Sequence, residues 1–519
     1  MRIGIDVGGT HTDAVIMNGD EVVSAIKELT TADVSTGVFN ALEKILSMAS
    51  VNVKDIEAVM LGTTQFTNAV IERKHLSKVA AIRIGLPSGD GLPPKIGWPK
   101  DIAASLGDYN YMIHGGTLYD GQPLSELRQD EIDQVINDIK RNSIKSVAIS
   151  AAFSPMNPQP ELEVEQQLLA AIPDLDITCS HKIGRLGLLE RENAALLNAS
   201  LLKLADRVVT SFAEALAQHN LTCPFFISQN DGTLMDSQFV RLYPALTFSS
   251  GPTNSLRGAS KLTGLENAIV IDIGGTTSDI GILQGGFPRE SNIVIEVGGV
   301  RTNFRMPDIL ALGLGGGSLV NADATEIGPE SVGHDLVTEG LTFGGDKLTA
   351  TDLQVAAGNI TISEGTKPEL NDELISNGLM TIHKMLNEGV EKMMPSSEKI
   401  PVILVGGGAV LVSENLSAAS EVLCPEHSGV ANAIGAAIAQ IGGEIEKLVN
   451  YRELPRDETI KLLSAEATEQ AIKAGADPST IRIADIEETT ISYMAEGSTK
   501  LRIKAVGDIL LSQGAQDNG

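Results

Sequence analysis

Two copies of one short pattern supply the residues best suited to phosphate chemistry. The first copy reads IGIDVGGTHTD over residues 3–13, and the second reads IDIGGTTSD over residues 271–279. In each copy an apolar strand ends at an aspartate, Asp6 or Asp272, and two adjacent glycines and several hydroxyl residues soon follow. Such glycines let backbone N–H groups approach an oxygen atom closely, and threonine hydroxyls add donors. We therefore expect two loops that clamp one polyanion.

The two aspartates indicate a divalent cation. A carboxylate does not bind phosphate directly, but it can hold Mg²⁺ or its water ligands, and the ion bridges phosphate oxygens. We therefore predict that Asp6 and Asp272 are metal ligands and catalytic residues. A third loop, GGG after the strand at 401–405, lacks acids and hydroxyls at its core and suits a ribose and base. The predicted nucleotide-binding residues are Gly8, Gly9, Thr10, His11, Thr12, Gly274, Gly275, Thr276, Thr277, Gly406, Gly407 and Gly408.

Each loop taken alone is also compatible with an ordinary tight turn, because short motifs occur by chance. The chain has no G-x-x-x-x-G-K-[ST] sequence, and no GxGxxG with a βαβ continuation follows the first strand. His11 either donates to a phosphate or points to solvent from the turn. Asp13 and Asp279 either support the metal or stabilise their turns through Asx hydrogen bonds. The repetition of the pattern favours the phosphate interpretation.

The elements that position these loops alternate between strands and helices, and a hairpin pattern opens each half of the chain. Apolar runs predict strands at 2–17, 21–29, 58–62, 80–84, 146–152, 225–229, 268–273, 401–405, 489–494 and 501–506. Helical patterns cover 35–50, 127–142, 161–171, 188–219, 409–417 and 430–440, and the loop-rich stretch 87–111 is expected to be an insertion or lid. This order predicts two α/β lobes with mixed sheets.

Length and composition restrict the class of protein further. A chain of 519 residues exceeds one ordinary core, and we expect an N-terminal lobe at 1–187, a second lobe at 188–444 and a small C-terminal α/β extension at 445–519. A net charge of −28 argues against nucleic acid and anionic membranes as partners. Three scattered cysteines, no apolar run of membrane length and no signal-peptide pattern make a cytoplasmic enzyme the expected class.

The three loops, in this order and spacing, resemble the phosphate-1, phosphate-2 and adenosine motifs of the actin/Hsp70/sugar-kinase superfamily. Longer segments resemble the hydantoinase A/5-oxoprolinase family in particular. These segments are GTTQFTNAVIERK (62–74), GRLGLLERENAALLNASL (184–201), SSGPTNSLRGA (249–259), LGLGGGSLV (312–320), IGPESVG (327–333) and LRIKAVGD (501–508). The resemblance extends over nearly the whole chain and implies an actin-like ATPase fold with two RNase H-like lobes.

The resemblance also implies an activity. The family couples ATP hydrolysis to the opening of a cyclic amide or imide, such as a hydantoin, a lactam or an oxoproline, through phosphorylation of the carbonyl oxygen. ATP and Mg²⁺ are therefore the expected cofactors, and a B-type hydantoinase subunit and an oligomer are the expected assembly. Thr63, Thr64 and Asn68, in the 62–74 segment, are the expected substrate residues.

The chain departs from the larger family members in two places. Asp308-Ile309-Leu310 stands where they have Asp-x-His before the glycine loop, and their ADPGPACYG stretch is replaced around residues 334–338. The chain therefore resembles a shorter branch of the N-methylhydantoinase type, and its substrate does not follow from the large enzymes. A small-molecule kinase on the same fold and a nucleotide-gated subunit without turnover of its own are the alternatives.

Two groups of residues have competing interpretations. Thr63, Thr64 and Asn68 either line the amide site or form a hydroxyl-stabilised turn that caps a helix. The run from Glu190 to Asn193 is either a solvated helix face with local ion pairs or a functional segment in which Glu192 or Asn193 faces the cleft.

Overall fold

The computed structural model describes residues 1–31, 34–119, 121–291, 294–363, 365–412, 416–490 and 498–510. The helices, α1 to α13 in chain order, span Val34–Ala49, Gln65–Glu72, Lys100–Leu106, Gln129–Arg141, Gln159–Ala171, Leu188–Gln218, Ser237–Leu242, Ser250–Thr263, Leu336–Glu339, Ala350–Ala357, Asp372–Met393, Ala431–Ala437 and Arg456–Lys473. The strands, β1 to β23, span Arg2–Val7, His11–Asn18, Glu21–Leu29, Ala58–Thr63, Val79–Leu86, Tyr109–His114, Ser146–Ala151, Asp176–Cys179, Phe225–Ser228, Thr233–Asp236, Ala268–Ile273, Ser278–Gln284, Phe287–Pro288, Ile295–Val297, Val300–Thr302, Ile309–Leu312, Ser318–Val320, Ile327–Ser331, Val402–Val405, Val422–Leu423, Gln440–Asn450, Arg482–Thr490 and Ser498–Gly507.

The first glycine loop follows strand β1 of a nine-stranded sheet with the order β22-β23-β21-β10-β9-β4-β1-β2-β3. Strands β1 and β2 form the predicted hairpin, in which Asp6 lies opposite Asp13. Strands β4 and β9 run parallel to β1. The carboxyl ends of β1, β4 and β9 therefore lie side by side, and the first loop lies next to them.

A second sheet repeats this arrangement around the second glycine loop. It is six-stranded and places β11 between its hairpin partner β12 and the parallel strand β19. Asp272 lies opposite Asp279 in the hairpin, as Asp6 does opposite Asp13. The third loop follows β19, but the helix predicted at 409–417 is only a short 3-10 turn at Ala409–Leu411. Residues 413–415 of that prediction lie outside the described part of the chain.

The long helix α6, which begins at the expected boundary 187/188, contributes many side chains to the largest hydrophobic core. Most of its side chains from Arg191 to Leu204 are buried, and it packs against β7 of a parallel four-stranded sheet with the order β6-β5-β7-β8. The stretch 87–111, expected to be a loop-rich insertion or lid, contains α3 and the start of β6. Its Trp98 is 9% exposed and joins the main hydrophobic core. An aromatic side chain with an apolar body anchors this segment to the core.

The C-terminal segment extends the nine-stranded sheet. Strand β21 runs from residue 440 to residue 450 across the expected boundary at 444/445, and β23 pairs with residues 441–450 of it. Strands from all three expected segments thus share one sheet, and the division at 187/188 and 444/445 stays a proposal about domains. The strand expected at 489–494 ends at Thr490, and residues 491–494 lie outside the described residues. Within the described ranges, no helix is long and apolar enough to cross a bilayer.

Candidate functional site

The two glycine loops have the same backbone turn. The Gly8 amide donates to the His11 carbonyl at 2.9 Å, and the Gly274 amide donates to the Thr277 carbonyl at 2.9 Å. The loops also lie close to each other, because a Cβ atom placed on Gly275 would be 3.8 Å from the Thr10 hydroxyl. Both hairpins therefore present their turns to one cleft.

Each aspartate is packed against a glycine at the end of the neighbouring parallel strand. A Cβ atom on Gly62 would overlap Asp6 Oδ1, and a Cβ atom on Gly406 would overlap Asp272 Oδ1. Gly62 opens the GTT segment of β4, and Gly406 begins the third loop after β19. Glycine is needed at both places because any side chain would displace the carboxylate. The two halves of the site thus share this local packing.

One helix holds both aspartates through consecutive residues. Asn254 Nδ2 of α8 donates to Asp6 Oδ1 at 3.2 Å, and Ser255 Oγ donates to Asp272 Oδ2 at 2.5 Å. Asn432 Nδ2 of α12 donates to the other Asp6 oxygen, Oδ2, at 3.1 Å. The Asp6 carboxylate, 3% exposed, is therefore fixed from two helices and the Asp272 carboxylate from one of them.

The crossing of α8 and α12 is what brings these donors together. A Cβ atom on Gly258 would overlap the Ala431 carbonyl, and a Cβ atom on Gly435 would overlap the Asn254 carbonyl. Glycine at these positions lets the two helix backbones approach more closely than ordinary side chains allow. The small residues of α12 therefore set the position of Asn254 and Asn432 under the loops.

Burial and neighbouring acidic groups raise the pKa values of the two aspartates in the cleft. Burial raises the pKa of Asp6 to about 6, the amides of Asn254 and Asn432 counteract this shift, and the charges of Asp13 and Asp272 add to it. Burial likewise raises the pKa of Asp272, while its bond from Ser255 lowers it. Each ionised carboxylate thus lacks a full counter-charge, which is the setting in which a cation binds well.

The second aspartates of the two hairpins have different surroundings. Lys27 Nζ of β3 contacts both carboxylate oxygens of Asp13, at 2.7 and 2.8 Å. Asp279 lies opposite Asp272, and burial together with the Asp272 charge raises the pKa of Asp279 to about 7. Asp13 is therefore engaged in an ion pair, whereas Asp279 can exchange a proton near neutral pH.

The third loop and a glycine-rich strand connection close around the second loop. The Gly408 amide donates to the Ile273 carbonyl at 2.7 Å. The Gly316 and Gly317 amides donate to the carbonyls of Gly274 and Gly275, at 3.0 and 2.7 Å. The LGLGGGSLV segment thus holds the second loop through backbone hydrogen bonds, which gives that motif a structural role.

The expected nucleotide-binding residues differ in accessibility. Gly9, Thr277 and Gly407 are exposed, while Gly8, Thr10, His11, Gly274, Gly275, Thr276 and Gly406 are partly buried and Gly408 is buried. Thr12 is 1% exposed, and its hydroxyl lies 3.2 Å from the Thr30 hydroxyl. Burial and the Lys27 charge lower the pKa of His11, whose Nδ1 lies 3.1 Å from the Thr10 hydroxyl. Thr12 therefore stabilises the hairpin, and a nucleotide-binding role for the set as a whole stays a prediction.

The expected substrate residues lie at the end of β4, next to the first loop. The Thr63 hydroxyl accepts from the Gln65 amide at 3.2 Å, which is the hydroxyl-stabilised turn considered above. The Thr64 hydroxyl donates to the Val7 carbonyl at 3.3 Å and accepts from Asn68 Nδ2 at 3.4 Å. These bonds are local, and a substrate role for the three residues stays a prediction.

The charged run on α6 is buried, so its interpretation as a solvated face is wrong. Arg83 of β5 donates to both oxygens of Glu192, with an Nε–Oε2 distance of 2.7 Å, and the Ser150 hydroxyl donates to Oε2 at 2.7 Å. Asn193 accepts from Trp98 Nε1 at 2.8 Å. Glu190 is half-buried and lies 3.7 Å from Arg301. Glu192 thus joins α6 to β5 and β7, and Asn193 joins it to Trp98 and to the Arg301 carbonyl.

A cluster of potential metal ligands beside α6 also has a structural explanation. Single ligand atoms of Glu161, Cys179 and His181 lie within 4.8 Å of one another. However, Glu161 already accepts from the Ala151 amide at 2.8 Å, the His181 amide at 3.1 Å and His181 Nδ1 at 2.6 Å. The carboxylate therefore connects the end of β7 to the segment after β8, and its lone pairs are occupied.

Four residues of the site were missed at the sequence level: Asn254, Ser255, Asn432 and Lys27. Asn254 and Ser255 stand inside SSGPTNSLRGA, so the motif contained a signal without indicating which side chains face the cleft. Lys27 lies opposite Asp13 in the β2–β3 register, which a prediction of the hairpin register could have revealed. Asn432 comes from a helix 426 residues away from Asp6 along the chain, and no local pattern marks it.

The geometry defines a two-lobed α/β protein with the actin-like arrangement of two hairpin loops over a shared cleft. Residues 2–172 match the hydantoinase/oxoprolinase N-terminal region, and residues 191–396 match the hydantoinase/oxoprolinase family description. The chain belongs to the hydantoinase/oxoprolinase family, which confirms the resemblance found in its motifs.

Individual relatives have low sequence identity to the chain, but their matches extend over more than half of it. Caprolactamase subunit alpha from Pseudomonas jessenii is 26% identical over 387 residues, which cover 69% of this chain and 54% of that protein. Acetophenone carboxylase gamma subunit from Aromatoleum aromaticum is 24% identical over 397 residues, covering 69% and 53%. The chain thus spans about half the length of these two curated relatives. The crystal structure of the ATP-dependent caprolactamase from Pseudomonas jessenii matches with a TM-score of 0.81 and 19% identity, over 98% of this chain and 87% of that one, which establishes the shared fold.

Proposed function

We propose that the chain is an ATP-dependent amidohydrolase that opens a cyclic amide or imide after phosphorylation of its carbonyl oxygen. One observation carries this proposal: consecutive residues of α8, Asn254 and Ser255, bond the aspartates of the two hairpins. A phosphate chain between the hairpins would therefore meet both carboxylates in one cleft. The similarity to a caprolactamase subunit supports a cyclic amide as the acceptor of the phosphoryl group.

The acidic cleft fits a divalent cation such as Mg²⁺. Asp6 and Asp272 would hold the ion, whose charge would offset the burial and, to a smaller extent, the acidic neighbours that raise the pKa of Asp6. Asn254 Oδ1 is a buried oxygen without a hydrogen-bond partner among the described residues, and it suits a water ligand of the ion. When bound, the ion supplies charge neutralisation to the β- and γ-phosphates.

In this proposal the two hairpin loops bind the phosphates and the third loop binds the adenosine. The turns Gly8–Thr12 and Gly274–Thr277 surround the phosphates with the donors that the turns do not use themselves, such as the amides of Gly9 and Gly275, and Gly406–Gly408 lie against the adenosine. Thr12 contributes by fixing its hairpin through Thr30. Preorganised donors of this kind act mainly by positioning the γ-phosphoryl group and stabilising its charge.

The proposed reaction first transfers the γ-phosphoryl group to the ring carbonyl oxygen and then opens the ring by hydrolysis. The amide oxygen attacks the γ-phosphorus of ATP, the bond to ADP breaks, and the ring carbon becomes electrophilic. Water adds to that carbon, the ring C–N bond breaks, and a second water releases phosphate together with the bridging oxygen. The net reaction converts a cyclic amide, ATP and two waters into a ring-opened amino acid, ADP and phosphate.

A panel of cyclic amides tests the proposal. Hydantoin, 2-pyrrolidone, ε-caprolactam and succinimide are each incubated with Mg-ATP and the chain, with and without a B-type hydantoinase subunit, and released phosphate is measured. We expect at least one ring compound to raise phosphate release tenfold or more, while the open-chain control N-methylacetamide does not. ATP hydrolysis that no ring compound stimulates, in either condition, contradicts the proposal.

A second candidate is a subunit of an ATP-dependent carboxylase. The similarity to acetophenone carboxylase gamma subunit favours it, since a ketone oxygen and an amide oxygen are both carbonyl acceptors. Ketone-dependent phosphate release that also needs bicarbonate would identify this activity. A stable phosphorylated product, seen by mass spectrometry, would instead identify a small-molecule kinase.

A further inference from the structure

Lys27 lies where the first hairpin, the third loop and the segment after β20 meet. It stands opposite Asp13 in the register of β2 and β3, and its Nζ contacts the two Asp13 oxygens at 2.7 and 2.8 Å. Nζ also donates to the Gly429 carbonyl at 3.0 Å. A Cβ atom placed on Gly407 would be 3.5 Å from Lys27 Cε, so the side chain also lies against the third loop. One lysine therefore contacts three parts of the nucleotide cleft.

The segment that accepts from Lys27 also holds the third loop. Its Ser428 and Gly429 belong to a 3-10 turn at Ser428–Val430. The Ser428 carbonyl accepts from the Gly406 amide at 3.0 Å, and the next carbonyl, that of Gly429, accepts from Lys27. Consecutive carbonyls thus join the first glycine of the third loop to a side chain of β3. A shift of this turn would therefore move the third loop and release Lys27 together.

The contacts of Lys27 leave none of its donors for a ligand. An ammonium group has three N–H donors, and the two Asp13 oxygens and the Gly429 carbonyl use all three. Asp13 is 2% exposed, so its carboxylate depends on this counter-charge. Lys27 therefore acts on the protein around the cleft rather than on a phosphate.

We propose that Lys27 is a positioning residue that fixes the third loop against the first hairpin, so that the adenosine and phosphate subsites are held at one separation. The inference rests on the nucleotide site of the proposed function and adds how two of its loops are coupled. A nucleotide spans both subsites, so it gains affinity when their spacing is fixed before binding. A ligand that occupies the hairpins alone gains nothing from this spacing.

Isothermal titration calorimetry of the full chain with Mg²⁺ and two ligands tests this inference. The non-hydrolysable ATP analogue AMP-PNP spans the hairpins and the third loop, whereas tripolyphosphate reaches the hairpins alone. The variant combines Lys27→Met with Asp13→Asn, because Lys27→Met alone would leave a buried carboxylate unpaired. We expect the AMP-PNP dissociation constant to rise about tenfold, while that of tripolyphosphate stays within about twofold.

The double substitution and its control isolate the spacing of the loops from the charge of the cleft. Removing Lys27 and Asp13 together takes away one positive and one negative charge, so the net charge that a polyphosphate meets is unchanged. Lys44→Met is the matched control, because Lys44 of α1 is 49% exposed and pairs with Glu28, the neighbour of Lys27 on β3. It should change neither dissociation constant by more than about twofold.

Steady-state kinetics give a second readout once an active cyclic amide is known. A residue that only sets the spacing of the subsites contributes equally to binding ATP in the ground state and in the transition state. The double variant should therefore raise the KM for ATP about tenfold and keep kcat within about threefold of the parent value.

The outcomes separate this inference from the proposed function. Equal losses for the two ligands, or no loss for either, overturn the coupling, and so does a parent chain that does not bind tripolyphosphate. A loss confined to AMP-PNP, in a chain whose phosphate release no cyclic amide stimulates, supports the coupling and counts against the proposed function. Stimulated phosphate release together with equal losses overturns the coupling and leaves the proposed function intact.

Discussion

Asp6→Asn is expected to lower ATP turnover by about a thousandfold while the chain stays folded. The substitution keeps the shape of the side chain but removes the charge that would hold Mg²⁺ between the hairpins, and loss of one preorganised electrostatic contact typically costs about 10²–10³ in rate. Steady-state phosphate release in the presence of an active cyclic amide measures the effect. Asp272→Asn should behave alike, because Ser255 fixes that carboxylate in the same cleft.

Asp6→Asn should also be more stable than the parent protein at pH 7.5. The pKa of Asp6 is raised from 3.8 to about 6, so the folded state binds the extra proton and stability falls as pH rises between these values. A shift of this size corresponds to roughly 3 kcal/mol. Asparagine removes the penalty, and thermal unfolding should show a higher midpoint at pH 7.5 but not at pH 4. Asp20→Asn, an exposed aspartate in the β2–β3 turn, is the control for both measurements. Full activity in Asp6→Asn would contradict the assignment of Asp6.

Glu192→Gln should cost about 3–5 kcal/mol of folding free energy, because it leaves the buried Arg83 guanidinium without its counter-charge. Arg83 and Glu192 are 1% and 2% exposed and form a bidentate ion pair between β5 and α6. Denaturant unfolding of the full chain measures the loss. Arg83→Met should show a similar loss, since it leaves the carboxylate unpaired.

An exposed pair on α4 serves as the control for this effect. Arg141 and Asp138 are 74% and 36% exposed, and Arg141→Met should change stability by less than about 0.5 kcal/mol. Combining Arg83→Met with Glu192→Gln should recover part of the loss, which a double-mutant cycle quantifies. If Glu192→Gln retains stability but loses activity, Glu192 belongs to the reaction rather than to the core.

The duplicated hairpins were predictable because their signal is local. An apolar strand, an aspartate and two glycines lie within about ten residues, and strand pairing follows from the turn between them. The long helix α6 was predictable for the same reason, since 188–218 contains neither glycine nor proline. Local patterns of this kind fix an element without fixing what packs against it.

The anchoring of the aspartates was not predictable from the sequence. Asn254 and Asn432 reach Asp6 only because α8 and α12 cross closely, and the glycines that permit the crossing lie 177 residues apart in the chain, at 258 and 435. Glu192 was expected to face solvent or the cleft because a charged run is usually exposed. Its burial depends on Arg83, which lies 109 residues away. Such pairs arise from tertiary packing.

Isotope transfer from the ring carbonyl tests the central claim most directly. The most active cyclic amide from the panel is prepared with ¹⁸O in its carbonyl group and turned over with Mg-ATP, and the released phosphate is analysed by mass spectrometry. Phosphorylation of the carbonyl oxygen, followed by attack of water at carbon, predicts that the phosphate carries the ¹⁸O label. Ring opening that gives unlabelled phosphate and retains the label in the carboxylate product would contradict this account.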